Sequence, residues 1–403
     1  MDTEVKTLLR CLENKNVKLL VRERFEPVPA GECDEARAEA TLHFHRSLPP
    51  YRPTELKALP ALAARLGVGG IYVKDESTRF GLKAFKGLGG SYAIFRVLCE
   101  RLGLDPDQVD FTDFTAPERR VFCASLEFAT ATDGNHGKGV AWAARLFGSR
   151  AHVFMPKGTV EARRAAIESV GAAEVRITDG NYDETVDLAR RLSEENGWIL
   201  VQDTAWPGYE KIPTWIIEGY LTLAKEAGDA LKARGIRPTH VLLQAGVGSM
   251  AGGVLDYMQH CFGDVKGVIV EPWEANCIYR SAEAADGEAH TVGGLPETIM
   301  AGLNCGTPCS VIWPVLRDQA FGYCSCRDEV TVEGMRRYAH PLGGDPAVVA
   351  GESAAVTLGV VIEAAQDEAL KAALGLDETS QILLISTEGD TDPENYKKIV
   401  EES

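Results

Sequence analysis

Four short stretches of this chain hold residue types that do chemistry. Lys86 lies in Phe80-Gly-Leu-Lys-Ala-Phe-Lys-Gly-Leu-Gly-Gly, between an aromatic residue and a glycine-rich run that opens a helix. A lysine becomes nucleophilic near neutral pH when it is desolvated and close to positive charge, and a helix N-terminus supplies some of that charge. Those are the requirements of a Schiff-base lysine. Taken singly, a lysine is a solvated surface charge, and Lys74 and Lys83 are read that way. Thr132-Asp-Gly-Asn-His-Gly follows a strand and opens a second helix. Its two glycines let the loop curl around a small ligand, Asp133 can move a proton, and Asn135 is a neutral hydrogen-bonding group. Helix capping by Asp133 or Asn135 is the competing assignment, and His136 alone is a first-turn helix residue. Gly246-Val-Gly-Ser-Met-Ala-Gly-Gly lies between a strand and a helix. Small residues there bring backbone N–H groups close to an anion, a phosphate cradle; the alternative is a tight turn with close strand–helix packing. Ser386-Thr-Glu-Gly-Asp-Thr-Asp, at the end of a late strand, offers two hydroxyls or is an ordinary turn.

The elements that must position these loops follow from the apolar periodicity. Strands are expected at Ile71–Lys74, Val121–Ser125, Ala151–Met155, Glu174–Ile177, Trp198–Val201, Thr239–Gln244, Val268–Glu271 and Gln381–Ile385. Helices are expected over Gly87–Leu102, His136–Phe147, Val160–Val170, Asp183–Glu195, from the Gly246 loop to Cys261, and over Ala350–Ala365. Repeated βα units with near-continuously apolar strands imply an α/β fold of parallel sheets covered by helices on both faces. Ligands in such folds sit beyond the carboxyl ends of the strands, so the loops at 80–90, 132–137 and 246–253 compete for the site. Residues 1–40 are charged, weakly patterned, and read as a surface-wrapping arm.

Composition narrows the partners. The chain has 403 residues, with 42 Lys and Arg against 59 Asp and Glu, a formal net charge of −17. So acidic a chain offers no positive field to a polyanion or to an acidic lipid surface, which argues against nucleic-acid and membrane partners. The length suggests two or three domains. Met1-Asp-Thr-Glu-Val-Lys lacks an apolar leader core, and no apolar run approaches the roughly 18 residues of a membrane span, so a soluble cytoplasmic protein is expected. The ten cysteines are scattered. Neither Cys305 and Cys309 nor Cys324 and Cys326 has zinc-ligand spacing, so no metal is expected and the thiols read as reduced and mostly buried.

Two ligand classes fit the loops. A nicotinamide dinucleotide fits Gly246-x-Gly248, with Glu271 ending the next strand where a ribose-binding acid would stand, but it leaves Lys86 and the Asp133 loop without a purpose. Pyridoxal 5′-phosphate has a phosphate, a carbonyl for a lysine and a heteroaromatic ring, and uses all four stretches. A Walker-type nucleotide loop is absent, since no Gly-Lys-Ser/Thr ends the glycine run.

Six segments then carry a family resemblance. They are Val73-Lys-Asp-Glu-Ser, Arg79-Phe-Gly-Leu-Lys-Ala-Phe-Lys-Gly-Leu-Gly-Gly, Ala131-Thr-Asp-Gly-Asn-His-Gly, Val201-Gln-Asp-Thr-Ala-Trp, Gln244-Ala-Gly-Val-Gly-Ser-Met-Ala-Gly-Gly and Met300-Ala-Gly-Leu-Asn-Cys-Gly. With them, from roughly Phe44 to Asp392, the chain resembles the fold-type II pyridoxal-phosphate enzymes, the tryptophan synthase β family. Within that family it is similar to the branch that eliminates ammonia from 2,3-diaminopropionate.

The resemblance implies two open, mostly parallel twisted sheets flanked by helices. It implies a large domain from 1–87 and 211–403, with a small domain, 88–210, inserted in it. It implies a cofactor aldimine on Lys86, a hydrogen bond from Asn135 to the ring hydroxyl, and a phosphate held by the backbone of Gly246, Val247, Gly248, Ser249 and Met250. Ser386, or Thr387 beside it, would face the pyridine nitrogen; a hydroxyl there does not force the ring to be protonated, which suits β-elimination better than transamination. Asp133 stands where many relatives have serine or threonine. The resemblance assigns it to the α-proton of the D-isomer and Lys86 to that of the L-isomer. Asp203 is a further carboxylate near the substrate, and Thr132, Gly134 and His136 complete the substrate-facing set. The same resemblance implies a homodimer acting on a small amino acid. Cys277 and Cys305 lie in matching segments, and a bond between them would tie a region flanking the site. A serine or threonine dehydratase of the same fold is the runner-up; its hydroxy substrate has no second amine for Asp133 to pair.

Overall fold

The computed structural model describes residues 9–26, 31–293 and 297–401. The opening Met1–Lys6 stretch, and with it the question of a leader, lies outside the described residues. The chain forms two compact units, one of Met1–Glu35, Thr54–Ser77 and Leu223–Ser403, the other of Ala36–Pro53 and Thr78–Thr222. The second unit differs in extent from the expected 88–210 insert: it takes in Ala36–Pro53 and begins early enough to include Lys86.

The strands are β1 (Leu9–Glu13), β2 (Val17–Arg22), β3 (Leu56–Ala58), β4 (Gly70–Asp75), β5 (Glu127–Ala131), β6 (Arg150–Met155), β7 (Glu174–Ile177), β8 (Ile199–Leu200), β9 (His240–Gln244), β10 (Lys266–Pro272), β11 (Ala320–Cys326) and β12 (Gln381–Ser386). The first unit holds an eight-stranded sheet in the order β1-β2-β11-β10-β9-β12-β4-β3. Its centre is parallel from β11 to β4, and its flanks, β1 and β2 on one side and β3 on the other, are antiparallel. His240-Val-Leu-Leu-Gln is buried along its whole length, the mark of a central strand covered on both faces. Val73, Leu242, Val270 and Leu384 meet Val361 and Met335 of the covering helices in one apolar core. The second unit holds an all-parallel sheet, β7-β6-β5-β8, with a smaller core around Ala129, Ala131, Phe154 and Leu200.

Three expectations fail locally. Val121–Ser125 is not a strand; Pro117–Ala124 is a helix, and the strand starts at Glu127. Pro117 supplies a preformed first turn, and Val121 is 74% exposed, so the apolar run there has no sheet face to bury. Residues 1–40 are not merely a surface arm. Within the described part, β1 and β2 form a hairpin that pairs with β11 and buries Val17, Leu19 and Val21. Lys74 is not solvated: it is buried on β4, with Nζ 2.5 Å from Glu226 Oε2 and 2.7 Å from the Thr54 carbonyl.

The Gly87–Leu102 helix has the bounds expected of it and ends at Gly103 in the left-handed conformation, φ 64°. It packs in the second unit on the Asn135–Phe147 helix with almost nothing between the backbones. A Cβ on Gly139 would stand 2.9 Å from both the carbonyl carbon and oxygen of Lys86, and one on Gly90 would stand 3.1 Å from the carbonyl carbon of Gly139. Glycine at 139 is therefore what lets the second helix press against the backbone of Lys86. Gly139→Ala is expected to lower unfolding free energy by roughly 1–3 kcal/mol in urea titrations, the usual penalty of overpacking.

Candidate active site

Lys86 precedes the first residue of the Gly87–Leu102 helix, and its Nζ lies 2.5 Å from Asp203 Oδ2. The ammonium also sits over the rings of Phe85 and Tyr220, at 5.4 and 5.9 Å. The lysine is half-buried as expected, but the charge beside it is a carboxylate, not a cation.

Asp203 is held by the chain on either side of it. The Val201 amide donates to the Ala129 carbonyl. Tyr209 Oη accepts from the Gln202 amide at 2.8 Å and donates to the Leu200 carbonyl at 2.9 Å. Gln202 Oε1 accepts from the Ala131 amide at 3.0 Å, and its Nε2 donates to Tyr182 Oη. Gln202 thus ties the strand end carrying Asp203 to the strand end from which the Thr132 loop departs. His136 Nε2 donates to the Val201 carbonyl at 2.8 Å. Its Nδ1 is buried, has no hydrogen-bond partner among the described residues, and lies 3.7 Å from Asp203 Oδ2.

Burial pushes the His136 pKa down, so the ring is neutral and the Val201 carbonyl fixes its proton on Nε2. Burial works to raise the Asp203 carboxyl, but His136 and Lys86 outweigh it and hold the group down at about 2. With His136 neutral, the Lys86 ammonium is the partner responsible. Asp133 goes the other way. Burial raises it to about 6, against the pull of Arg163 and with the repulsion of Asp203 adding to the rise. A carboxylate tuned there exchanges protons readily near neutral pH. Thr132 shapes the loop: its hydroxyl accepts from the amides of Gly134 and Gly137, at 2.9 and 3.0 Å. Asp133 is therefore not engaged as the helix cap, and Asn135 is the first residue of the helix itself.

In the first unit, Gly246–Met250 follows β9 and opens the Ser249–Phe262 helix, with Gly248 at the N-cap, φ 93°, and no side-chain cap. A Cβ on Gly246 would stand 2.9 Å from Cys305 Sγ and 3.2 Å from the Gly302 carbonyl, and one on Gly248 would stand 2.5 Å from Leu316 Cδ1. The loop runs where only backbone fits, and its amides open a helix whose N-terminus favours an anion. At the end of β12, Ser386 Oγ is fully enclosed with no hydrogen-bond partner among the described residues. Thr387 Oγ1 accepts from Gln244 Nε2 at 2.9 Å, and the same nitrogen donates to the Ile385 carbonyl at 2.8 Å. Glu271, the acid that a ribose would need, is fully buried. Its oxygens accept from the amides of Ile278 and Tyr279, at 2.9 and 2.7 Å, and burial pushes its pKa up to about 8. It caps a helix, which removes the dinucleotide reading. All ten cysteines are thiols, so Cys277 and Cys305 are not bonded to each other; Cys277 Sγ donates instead to Glu271 Oε1 at 3.6 Å.

These residues fit pyridoxal phosphate. A glycine-lined helix start without a side-chain cap suits the phosphate, a half-buried lysine suits the carbonyl, and a hydroxyl at a strand end suits the ring nitrogen. Among the described residues no group of three His, Cys, Asp or Glu is placed to hold a metal ion, and no helix is long and apolar enough to cross a membrane. The residue-by-residue reading assigned no role to Gln202, Tyr209, Gln244 or Arg163. A glutamine ending a buried strand, as Gln244 does, is a signal, because a buried amide must find partners. Arg163 sits on a charged helix and gives none.

The chain matches the family model described as pyridoxal-phosphate dependent enzyme over residues 48–388. Diaminopropionate ammonia-lyase of Escherichia coli (strain K12) is 48% identical over 371 residues, 91% of this chain and 92% of that protein. A crystal structure of the Escherichia coli enzyme in complex with an aminoacrylate-PLP azomethine reaction intermediate superposes with TM-score 0.87 at 45% identity, covering 95% of this chain and 96% of that one. Another, in complex with D-serine, gives TM-score 0.89 at 44% identity, covering 97% of each.

The ion pair predicts a pH-dependent stability. Asp203 has a folded pKa near 2, below its ordinary 3.8, so its stabilising contribution is present above about pH 4 and lost as the pH falls through 2. Asp203→Asn is expected to lower unfolding free energy by about 2 kcal/mol at pH 7, and the gap from the unsubstituted chain should close between pH 4 and pH 2.

Proposed function

The chain belongs to the pyridoxal-phosphate dependent enzyme family, and on that premise we propose that it is a lyase that converts 2,3-diaminopropionate to pyruvate and two molecules of ammonia. The observation that carries this reading is Asp133, a carboxylate raised to about 6 in the loop beside Asp203. Two carboxylates suit a substrate with two amines, and one of them is tuned to move a proton.

Bound pyridoxal phosphate supplies an electron sink that stabilises negative charge at Cα. Lys86 is the amine that would hold its carbonyl, and the amides of Gly246, Val247, Gly248, Ser249 and Met250 would grip its phosphate. Asn135 would hydrogen-bond the ring hydroxyl, and Thr387 or Ser386 would face the ring nitrogen. Asp133 takes the Cα proton of the D-isomer and Lys86 that of the L-isomer. The Cα–H electron pair becomes a Cα–Cβ double bond as the Cβ–N bond breaks and ammonia leaves. Water then replaces the second nitrogen to give pyruvate. Asp203 and the neutral His136 line the place of the substrate's ammonium groups, with Thr132 and Gly134 shaping the loop.

Serine dehydration is the second reading, favoured by the relative's structure with D-serine. The same proton transfer would expel hydroxide, but Asp133 would then have no amine to pair. Pyruvate release from each amino acid decides between them. A homodimeric assembly and a cytoplasmic location are part of the proposal, tested by sedimentation and by cell fractionation.

Lys86→Ala is expected to abolish the absorbance band of lysine-bound cofactor and the ammonia release with it. Asp133 must be ionised to accept a proton, so kcat/KM for the D-isomer should rise with pH through about 6 and then level off. Asp133→Asn should lower D-isomer turnover on the order of 100-fold or more and erase that limb, leaving the L-isomer within about tenfold of normal. A variant that handles both isomers at the normal rate would remove Asp133 from proton transfer.

A further inference from the structure

The Glu161–Ser169 helix is charged, and Arg163 looks like one of its solvated charges until its partners are traced. The next residue, Arg164, is matched by acids of its own helix, Glu161 one turn back and Glu168 one turn on. Arg163 has no acid at those spacings. Thr159, Val160, Ala166 and Ile167 stand there, and Ile167 is the buried residue of the helix. Among the described residues the Arg163 guanidinium pairs with no carboxylate. The helix follows β6, and the Thr132 loop leaves β5, the parallel strand beside it, so both stand at the carboxyl end of one sheet. There the stem of Arg163 meets the loop. A Cβ on Gly134 would stand 3.6 Å from Arg163 Cδ, an ordinary contact distance. The residue before Gly134 is Asp133, which has no hydrogen bond among the described residues to hold its charge. Two charges act on it, the attractive one of Arg163 and the repulsive one of Asp203.

We propose that Arg163 is a positioning residue for the reaction: lying against Gly134, it is the counter-charge that keeps Asp133 ionised and so able to take the Cα proton of the D-isomer. This rests on the proton-transfer role given to Asp133 above. Burial and the like charge of Asp203 both favour the protonated carboxyl, which cannot accept a proton. The other candidates for a counter-charge are committed elsewhere: the Lys86 ammonium pairs with Asp203, and His136 is neutral. An arginine suits the task, because its charge persists at every pH at which a carboxylate titrates.

The test compares Arg163→Met, Arg163→Lys and Arg164→Met with the unsubstituted chain. Asp133 is titrated directly in the full chain by carbon-13 NMR of labelled aspartate carboxyls, its signal being the one absent from Asp133→Asn. The second reading is kcat/KM for the D-isomer against pH. In Arg163→Met both midpoints should move up together by about one pH unit, the lower end of the effect of a cation beside a carboxylate. Well above the midpoint, D-isomer turnover should return to within about twofold of normal, since only the fraction of ionised base has changed. The L-isomer, served by Lys86, should keep its profile. Arg163→Lys keeps the charge and should reverse most of the shift, and Arg164→Met should move neither midpoint. A loss in Arg163→Met that is the same at every pH, with both midpoints unmoved, overturns the inference and marks a merely structural arginine. An equal shift in Arg164→Met overturns it too, because any charge on the helix would then serve. If Asp133→Asn leaves the D-isomer limb in place, the proton-transfer reading fails and the inference with it. A limb that Asp133→Asn removes and Arg163→Met does not move sinks the inference alone.

Discussion

A backbone-to-backbone contact governs the second unit. Gly139 brings the Asn135–Phe147 helix against the carbonyl of Lys86, closer than any other residue would allow. That contact sets where the lysine starts, and the Asp203 carboxylate sets where its ammonium ends. Asp203 is in turn fixed by a chain that has little freedom: Val201, Gln202 and Tyr209 all take part in hydrogen bonds to the neighbouring strand or to the segment itself. The lysine's chemistry thus depends on a helix–helix distance as much as on any charge.

The first unit solves a different problem with similar means. An anion must be held by a chain that is strongly acidic overall. What the unit offers for it, on the proposed function, is local and dipolar: a glycine loop crowded by Cys305 and Leu316, opening a helix with no side-chain cap. Gln244 belongs to the same logic. Where the parallel pairing of β9 and β12 gives out, one amide side chain holds the two strand ends together.

Much of this was legible in the residues, and the failures have physical causes. Gly87–Leu102 and Glu174–Ile177 were read with the bounds they have, because glycine stops and apolar periodicity agree there. Val121–Ser125 was misread because a short apolar run has no periodicity of its own, and Pro117 upstream was the better guide. The β1–β2 hairpin is not legible locally because its short apolar runs, Leu9–Glu13 and Val17–Arg22, are weakly patterned among charges, and their partner β11 lies some 300 residues on. Lys74 was misjudged since nothing local announces that Glu226, 152 positions on, is its partner. The same remoteness hid the joint of Gln244 with β12. The four chemical stretches were found since each is a run of adjacent residues; what lies behind them in space was not.

The pairing of Lys86 with Asp203 also ties the charge of the carboxylate to the state of the lysine. While the lysine is an ammonium, the two charges cancel, and the pocket around Asp203 offers little to a cation. The depression of the Asp203 carboxyl belongs to that ammonium: with the lysine nitrogen committed to a carbonyl, burial would act on the carboxyl with less to oppose it, and its pKa would rise. On the proposed function, an ammonium group of the substrate would take the lysine's place beside that carboxylate. The charge of this one carboxylate is thus set by whichever ammonium stands beside it.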